Sequence, residues 1–180
     1  MARLFAFLRG MNLGGRRVTN TELNRIFKSV GVSGVESFIA SGNLIFDAPT
    51  KNAATLQARL ETKLEAELGY AVPTFLRTES ELKAMAAHQP FKPARQKTAA
   101  TMNVGLLVEP LSAAGIKALA EHNSAADDFV VKGREVFWLC QTKMSESEFF
   151  KLPFDRRFTT SSTWRNINTL NRLVEKYLDS

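Results

Sequence analysis

Two kinds of apolar periodicity alternate along the first 78 residues, and their order restricts the folds open to this chain. Apolar residues that alternate or run continuously predict strands, whereas apolar residues spaced three and four apart predict helices. Strands are predicted over residues 4–8, 35–40, 44–46 and 72–77. One predicted helix lies between the first two strands and another between the last two, so the order is β-α-β-β-α-β.

Residues at the ends of these elements support the assignment. Thr19 and Glu22 match a T-x-x-E capping box at the start of the first helix, and Gly31 ends that helix. The second helix ends at Gly69. The segment Ser41-Gly42-Asn43 predicts a tight hairpin turn between the second and third strands. This order of elements is that of a ferredoxin-like split βαβ unit, with a four-stranded antiparallel sheet and two helices on one face.

The pattern starts again after residue 99. A strand is predicted over 102–108, then a helix, then a hairpin formed by 129–131 and 135–140, and a last helix near the end of the chain. No final strand is visible, so the second half is predicted to be a modified ferredoxin-like unit. The fold class is α+β with two ferredoxin-like subdomains. The predicted division is 1–78 for the first subdomain, 79–99 for a helix and a linker, and 100–180 for the second.

Charge and cysteine content limit the partners and the compartment. The net charge is +6, and the basic residues concentrate in 1–20 and 151–172. This excess favours anionic partners. The chain has one cysteine, which excludes an intramolecular disulfide and predicts a reducing compartment, the cytoplasm. We expect no membrane span and no signal peptide, because no apolar run is long enough. The oligomeric state stays open.

Four segments resemble one known family. They are Arg9-Gly10-Met11-Asn12-Leu13-Gly14-Gly15, similar to an RGINVGG-type segment; Phe38 to Phe46, similar to YIQSGNVVF; Arg77-Thr78 before Glu81-Leu82 and Pro90-Phe91; and Arg165-Asn166-Ile167-Asn168-Thr169, similar to RNWNT. The family is the bacterial domain of unknown function sixteen-ninety-seven. The resemblance implies two ferredoxin-like subdomains and no established activity. Ile167 stands where the family usually has Trp, so a stacking role does not carry over to that position.

Polar residues in three of these segments form the predicted binding site. They are Arg9, Asn12, Gly14, Gly15 and Arg16 of the first loop, Ser41 and Asn43 of the predicted hairpin, and Arg165, Asn166, Asn168 and Thr169 near the last helix. Arginines would supply charge, Asn and Ser would orient a ligand, and glycines would allow close backbone approach. We therefore expect a binding module for a small anionic or phosphorylated ligand, provided that the three segments converge in space.

Each segment also has a purely structural interpretation. The first loop could be a flexible connection whose following helix is already capped by Thr19 and Glu22. The hairpin residues could serve the turn alone. Three asparagines in the last predicted helix, Asn166, Asn168 and Asn171, are costly in a helix interior and therefore need a reason, which is either packing or a ligand.

Two further functions are alternatives to small-ligand binding. The basic ends and the aromatic segment from Phe149 to Phe158 allow nucleic-acid binding. A metal-independent enzyme of unknown reaction is the other, although no catalytic residue is identifiable. A P-loop NTPase is excluded because Arg16 and Arg17 stand where Lys and then Ser or Thr would follow the glycines. Ser41 has no visible base, Cys140 is expected to be buried, and neither histidine has metal-ligand spacing. No metal or cofactor is therefore expected.

Overall fold

The computed structural model describes residues 1–11, 14–50 and 52–179, and of residues 40 and 41 only the backbone. The chain divides into two compact units, Met1–Ala84 with Leu173–Ser180, and Met85–Arg172. Each unit contains a four-stranded sheet, and every strand pairing is antiparallel. The predicted α+β class with two ferredoxin-like sheets is confirmed.

The first unit has the element order expected from the sequence. Its elements are β1 (Ala2–Leu8), α1 (Asn20–Ser29), β2 (Ser33–Phe38), β3 (Ala40–Ala48), α2 (Ala53–Leu68) and β4 (Thr74–Thr78). The strands lie in the order β2-β3-β1-β4, so β1 is central and pairs with β3 on one side and β4 on the other. This is the strand order of the ferredoxin-like fold.

The core of the first unit follows from the periodicities in its helices. Leu23, Ile26 and Phe27 of α1 are fully buried, as are the leucines at 56, 60 and 64 of α2. They pack with Leu4 and other β1 side chains that point to the same face of the sheet. Burying each such side chain contributes about 1.5–3 kcal/mol relative to leaving it exposed, so this apolar layer holds both helices on one face.

The hairpin between β2 and β3 differs from the prediction. Ser41, Gly42 and Asn43 lie inside β3 rather than in a turn, and Asn43 pairs with Phe7 of β1. The chain reverses at Ile39, which has a φ of 64°. Ala40 of β3 already pairs with Phe38 of β2, which leaves one position for the reversal. A β-branched side chain is unusual at positive φ, which is why the sequence pointed to the Ser-Gly-Asn segment instead.

Two helices lie between the sheets along the chain. They are α3 (Glu79–Ala87) and α4 (Pro93–Thr98). Thr78 and Glu81 form the capping box that opens α3, because the Thr78 amide donates to Glu81 Oε2 at 2.8 Å and the Glu81 amide donates to Thr78 Oγ1 at 3.2 Å. The helix α4 lies in a segment predicted to be a loop. Its Pro93 occupies the first turn, where a helix tolerates proline.

The second sheet repeats the order of the first. Its unit contains β5 (Thr101–Leu107), α5 (Ala113–Ala120), β6 (Asp127–Lys132), β7 (Glu135–Cys140), α6 (Phe154–Phe158), β8 (Ser162–Asn166) and the start of α7 (Ile167–Tyr177), with 3-10 turns at Met144–Glu146 and Glu148–Lys151. The strand order is β6-β7-β5-β8. The unit is modified where the 3-10 turns and the short α6 stand in place of one long helix.

The expectation that the second unit lacks a final strand is wrong. The strand β8 pairs with β5 from Asn103 opposite Asn166 to Leu107 opposite Ser162. Its sequence, STWRN, has one large apolar residue, so periodicity could not reveal it. As a result Arg165 and Asn166 lie on a strand, and the helix predicted to carry them begins only at Ile167.

A buried carboxylate organises the second unit. Asp127 accepts hydrogen bonds from Trp138 Nε1 at 2.9 Å and from Ser147 Oγ at 2.8 Å. Trp138 in turn packs edge-on against Phe149 and Trp164 in the core. A buried charge needs such partners to offset its desolvation. The polar node therefore ties β6 and β7 to the 3-10 turns that replace the long helix.

Candidate functional site

The first loop holds its arginine by contacts within the first unit. The guanidinium of Arg16 lies 3.9 Å from the centre of the Tyr70 ring, and its Nη1 donates to the Gly10 carbonyl over a long 3.5 Å. The backbone of Gly14 and Gly15 has positive φ, which explains the glycines by conformation alone. The backbone amide of Arg9 donates to the Pro73 carbonyl at 3.0 Å. Asn12 lies outside the described residues.

The helix that follows this loop does not offer a free N-terminus. The Thr19 amide donates to Glu22 Oε2 at 2.9 Å, and the Glu22 amide donates to Thr19 Oγ1 at 3.1 Å. The hydrogen bond from the Thr19 backbone lowers the pKa of the Glu22 carboxyl, with the Thr19 hydroxyl acting in the same direction. The capping box therefore places a carboxylate where an anion would have to bind.

The second predicted segment has a structural role at Asn43. This side chain is buried, and its Nδ2 donates to the Phe38 carbonyl at 3.2 Å. The bond spans the reversal at Ile39 and stabilises the backbone there. The side chain of Ser41 lies outside the description. The residues Arg9, Gly14, Gly15, Arg16, Ser41 and Asn43 all belong to the first unit, whereas Arg165, Asn166, Asn168 and Thr169 belong to the second.

The second unit contains a cavity of about 340 Å³ whose polar lining consists largely of amide side chains. We call it the amide cavity. Its polar lining residues are His88, Gln89, Gln96, Thr101, Asn166, Asn168 and Asn171. They come from the ends of α3 and β8, from α4, and from the starts of β5 and α7. Two of the predicted site residues, Asn166 and Asn168, are thus brought together, while Arg165 and Thr169 do not line the cavity.

Asn166 is fixed in place by two hydrogen bonds. Its Nδ2 donates to Thr101 Oγ1 at 2.9 Å, and its Oδ1 accepts the Asn168 backbone amide at 2.9 Å. The second bond satisfies one of the amides left without a partner at a helix start. Asn166 therefore links β5 to the first turn of α7 and makes that side of the amide cavity rigid.

Four other amides around the cavity are not engaged by the protein. The side chains of Gln89, Gln96, Asn168 and Asn171 make no hydrogen bond to any residue that the structure describes. Asn168 and Asn171 are three residues apart on α7, so they lie on the same helix face. Asparagine is among the poorer helix formers, at up to about 0.7 kcal/mol per residue relative to alanine. No contact within the described chain compensates this cost.

His88 adds an unsatisfied ring nitrogen to the lining. Its Nε2 is buried without a hydrogen-bond partner in the described part of the chain, and its ring packs edge-on against Phe137 with 4.8 Å between ring centres. Burial lowers the pKa of His88 below 6.5, and the nearby charge of Lys132 lowers it further. The ring is therefore neutral at pH 7, with one ring nitrogen a donor and the other an acceptor.

The amide cavity is suited to hydrogen bonding rather than acid–base chemistry. Its lining contains no Asp, Glu, Lys or Arg, and His88 is the one titratable side chain among the lining residues. General acid–base catalysis usually needs a donor and an acceptor of protons with different pKa values. Among the described residues, no group of three or more His, Cys, Asp or Glu could hold a metal ion.

Arg165 is engaged beside the cavity rather than in it. Its Nη1 donates to Thr163 Oγ1 at 2.8 Å and to the Trp164 carbonyl at 2.9 Å. Burial lowers the pKa of Arg165 from 12.5 to about 10, so the side chain stays positive at neutral pH. Cys140 is buried, as predicted, and burial raises the pKa of its thiol to about 12, with Asp127 contributing in the same direction. It is not a nucleophile.

Sequence reasoning missed His88, Gln89 and Gln96 as site residues. They lie around Pro90 and Pro93, in the stretch predicted to be a loop or linker, where no periodicity marks them. Asn171 did carry a signal, because a third asparagine in one helix is costly. The sequence does not show that this stretch packs beside β5 and β8.

Comparison with known proteins gives a family and a fold. The family described as protein of unknown function (DUF1697) matches residues 1–137. Among solved structures, the conserved bacterial protein SP0830 from Streptococcus pneumoniae is similar, with a TM-score of 0.76, 23% sequence identity and 97% of each chain covered. At this identity the likeness concerns the fold. No curated protein matches the chain. No helix in the described ranges is long and apolar enough to cross a membrane.

The unengaged amides make a prediction about stability. We expect Asn171→Ala to raise the free energy of unfolding by about 0.5 kcal/mol, because alanine is the better helix former and no protein hydrogen bond is lost. Asn166→Ala is the matched control and should lower it by about 1–3 kcal/mol, because it breaks two hydrogen bonds. Urea denaturation followed by circular dichroism measures both. A destabilised Asn171→Ala protein would show that this amide has a structural role.

The lowered pKa of His88 predicts acid sensitivity. As pH falls below 6.5, the unfolded chain takes up a proton on this residue before the folded chain does, so protonation favours unfolding. We expect His88→Gln to reduce the loss of stability between pH 7 and pH 5 relative to the natural sequence. Urea titrations at several pH values test this, and identical pH profiles for the two proteins would contradict it.

Proposed function

We propose a function for this chain, which belongs to the family described as protein of unknown function (DUF1697): it is a binding module for a small anionic or phosphorylated ligand. The ligand is held in the amide cavity of the second unit. The single observation that carries the proposal is the set of four unengaged amides and one buried, unpartnered histidine nitrogen around about 340 Å³ of space. This volume is within the range of small-molecule sites.

The composition of the lining favours an anion over a cation. Amide N–H groups donate to oxyanions, and hydrogen bonds to a charged acceptor are stronger than those between neutral groups. The lining contains no carboxylate that would repel an anion. The net charge of +6 adds a long-range attraction. A cation could be coordinated by amide oxygens, but no carboxylate in the lining would neutralise its charge. The lining therefore favours an anionic ligand.

His88 couples the binding of an anion to a proton. An anion beside this ring stabilises the imidazolium and therefore raises its pKa from the lowered value of the free protein. Once protonated, both ring nitrogens donate. Anion affinity should therefore increase as the pH falls through 6.5, in the opposite direction to the stability of the free protein.

The other residues that the sequence predicts for the site stay proposals with less support, because those that the structure describes do not line the amide cavity. Arg165 and Thr169 lie outside the cavity lining, and Arg165 donates to groups of its own strand. The first-unit residues Arg9, Gly14, Gly15, Arg16, Ser41 and Asn43, together with Asn12, stay a prediction. A cytoplasmic location is part of the proposal, because the one cysteine is a free thiol and phosphorylated metabolites are abundant there.

A thermal-shift screen tests the proposal. Inorganic phosphate, sugar phosphates and nucleotides are the probes, and a true ligand at about 100 times its Kd should add roughly 2.7 kcal/mol to the stability. Replacing Asn168 and Asn171 together by alanine should abolish the shift. Glu175→Asp, at an exposed position of the same helix outside the cavity lining, is the matched control, and it should keep the shift. The proposal fails if no anion raises the Tm, or if the double variant responds like the natural protein.

Nucleic-acid binding is the second candidate, and one observation favours it. Phe149, Phe154 and Phe158 are buried in the core, but Phe150 is half exposed, and Arg156 and Arg157 on α6 are exposed as well. An exposed aromatic ring with basic side chains in one segment is the pattern of a single-strand binding surface.

The salt dependence of the binding affinity distinguishes nucleic-acid binding from small-ligand binding. Binding of a fluorescent single-stranded oligonucleotide should weaken with salt, with a log–log slope of about −0.7 per phosphate contacted. The pair Arg156→Ala and Arg157→Ala should make that slope shallower, whereas the variants of the amide cavity should leave it unchanged. Affinity that does not change between low and moderate salt would eliminate nucleic acid as the partner.

A further inference from the structure

The amide cavity offers hydrogen-bond acceptors as well as donors. Each Asn or Gln side chain carries a carbonyl oxygen beside its NH₂ group. The dianion of a phosphate monoester has only acceptors, so it can use the NH₂ groups, but it leaves the oxygens of the half-buried Gln96 and Asn171 without partners once it displaces water from them. A polar atom left unsatisfied in this way costs about 1–3 kcal/mol. A ligand that fills this cavity therefore carries N–H donors of its own.

From this donor and acceptor pattern we infer that the cavity binds a nucleobase, and that the ligand is a free nucleotide. The inference rests on the proposed function and specifies its ligand class. Asn and Gln pair with base edges through two adjacent hydrogen bonds, one donated and one accepted, as they do with adenine. Asn171 of α7 and Gln96 of α4 are both half-buried in the lining of the cavity, and each carries such an edge.

The apolar part of the lining suits a flat ring. Met102 of β5 is directly opposite Leu139 of β7 in the register of the sheet, so their side chains lie next to each other. Both line the amide cavity, together with Ile167 at the start of α7. A base could lie against this apolar surface while its edge contacts the amides. Burial of the ring face is favourable in free energy, whereas the polar edge needs hydrogen-bond partners.

His88 lines the amide cavity, and its ring is held in place by the protein. Its ring packs edge-on against Phe137, which is two residues from Leu139 on β7 and so points to the same face of the sheet. Unstacked bases commonly stack on histidine and other planar side chains. Because Phe137 fixes the ring, stacking a base on His88 costs little additional side-chain entropy.

Exposure along the lining orients the ligand. Asn168 and Gln89 are exposed, whereas Leu139 is buried. The base therefore occupies the inner, apolar end of the amide cavity, and the charged phosphate lies at the outer end, where Asn168 and Gln89 can donate to it while water still solvates it. In this arrangement the phosphate is the anionic group of the proposed function, and the base provides donors to the amide oxygens that an anion alone leaves unpaired.

Four probes separate the base from the phosphate. Thermal shift and calorimetry are run with adenosine, adenosine 5′-monophosphate, ribose 5-phosphate and inorganic phosphate, and the monophosphates of the other three bases are then compared. We expect adenosine to bind and its monophosphate to bind more tightly, with little response to ribose 5-phosphate. If ribose 5-phosphate binds as tightly as every nucleotide, the nucleobase inference is wrong and the proposed function stands.

The other outcomes are equally distinct. If nucleosides bind and their monophosphates bind no more tightly, the base inference stands and the anionic function fails. If none of the probes binds, both fail. If a single-stranded oligonucleotide binds and free nucleotides do not, the inference of a free nucleotide is overturned in favour of nucleic acid.

Variants and a contact measurement locate the base. Asn171→Leu keeps the approximate shape and removes both hydrogen-bonding groups, so nucleotide affinity should fall about tenfold. Glu175→Asp, at an exposed position of the same helix that does not line the cavity, is the control and should bind normally. Saturation-transfer NMR should transfer magnetisation more strongly to base protons than to ribose protons, a readout that a change in folding does not produce. Stronger transfer to ribose, or unchanged affinity in a folded Asn171→Leu protein, would overturn the inference.

Discussion

Pairing of a central strand on both edges is the constraint on which the rest of this protein depends. In the first unit β1 pairs with β3 and β4, and in the second β5 pairs with β7 and β8, all antiparallel. The register of β5 sets Met102 beside Leu139 and Asn103 opposite Asn166. A slip of one residue would turn every side chain to the other face, so the amide cavity exists only because this register is fixed.

Residues that line the amide cavity lower the local stability of the protein and leave hydrogen-bonding groups available to a ligand. Asn168 and Asn171 weaken α7, and His88 keeps a buried nitrogen without a partner in the described chain. Proteins retain such locally unfavourable choices mainly at functional sites. Asn166 shows the contrast, since the same residue type two positions earlier is fully used to join β5 to α7. Asn166 therefore has a structural role, whereas Asn168 and Asn171 are available to a ligand.

Prediction succeeded where local signals were strong. The capping box at Thr19 and the apolar run of β1 are both present. It failed where a long-range partner decided the conformation. Pairing with β5 made a strand of the polar segment 162–166, and pairing with β1 at Asn43 and with β2 at Ala40 placed Ser41 to Asn43 within β3. Of the predicted site, Asn166 and Asn168 line the amide cavity. The glutamines of the cavity could not be found because they lie on either side of Pro90 and Pro93, in a stretch without periodicity.

The amino-acid order alone determined that this chain makes two α+β units, because alternation and helical spacing act over a few residues and repeat along the chain. It also determined the excess of positive charge. Only the tertiary structure decided which amides the protein uses itself and which remain open, because a hydrogen bond such as that between Asn166 and Thr101 joins residues 65 positions apart. Local pattern carries no information about contacts at that separation.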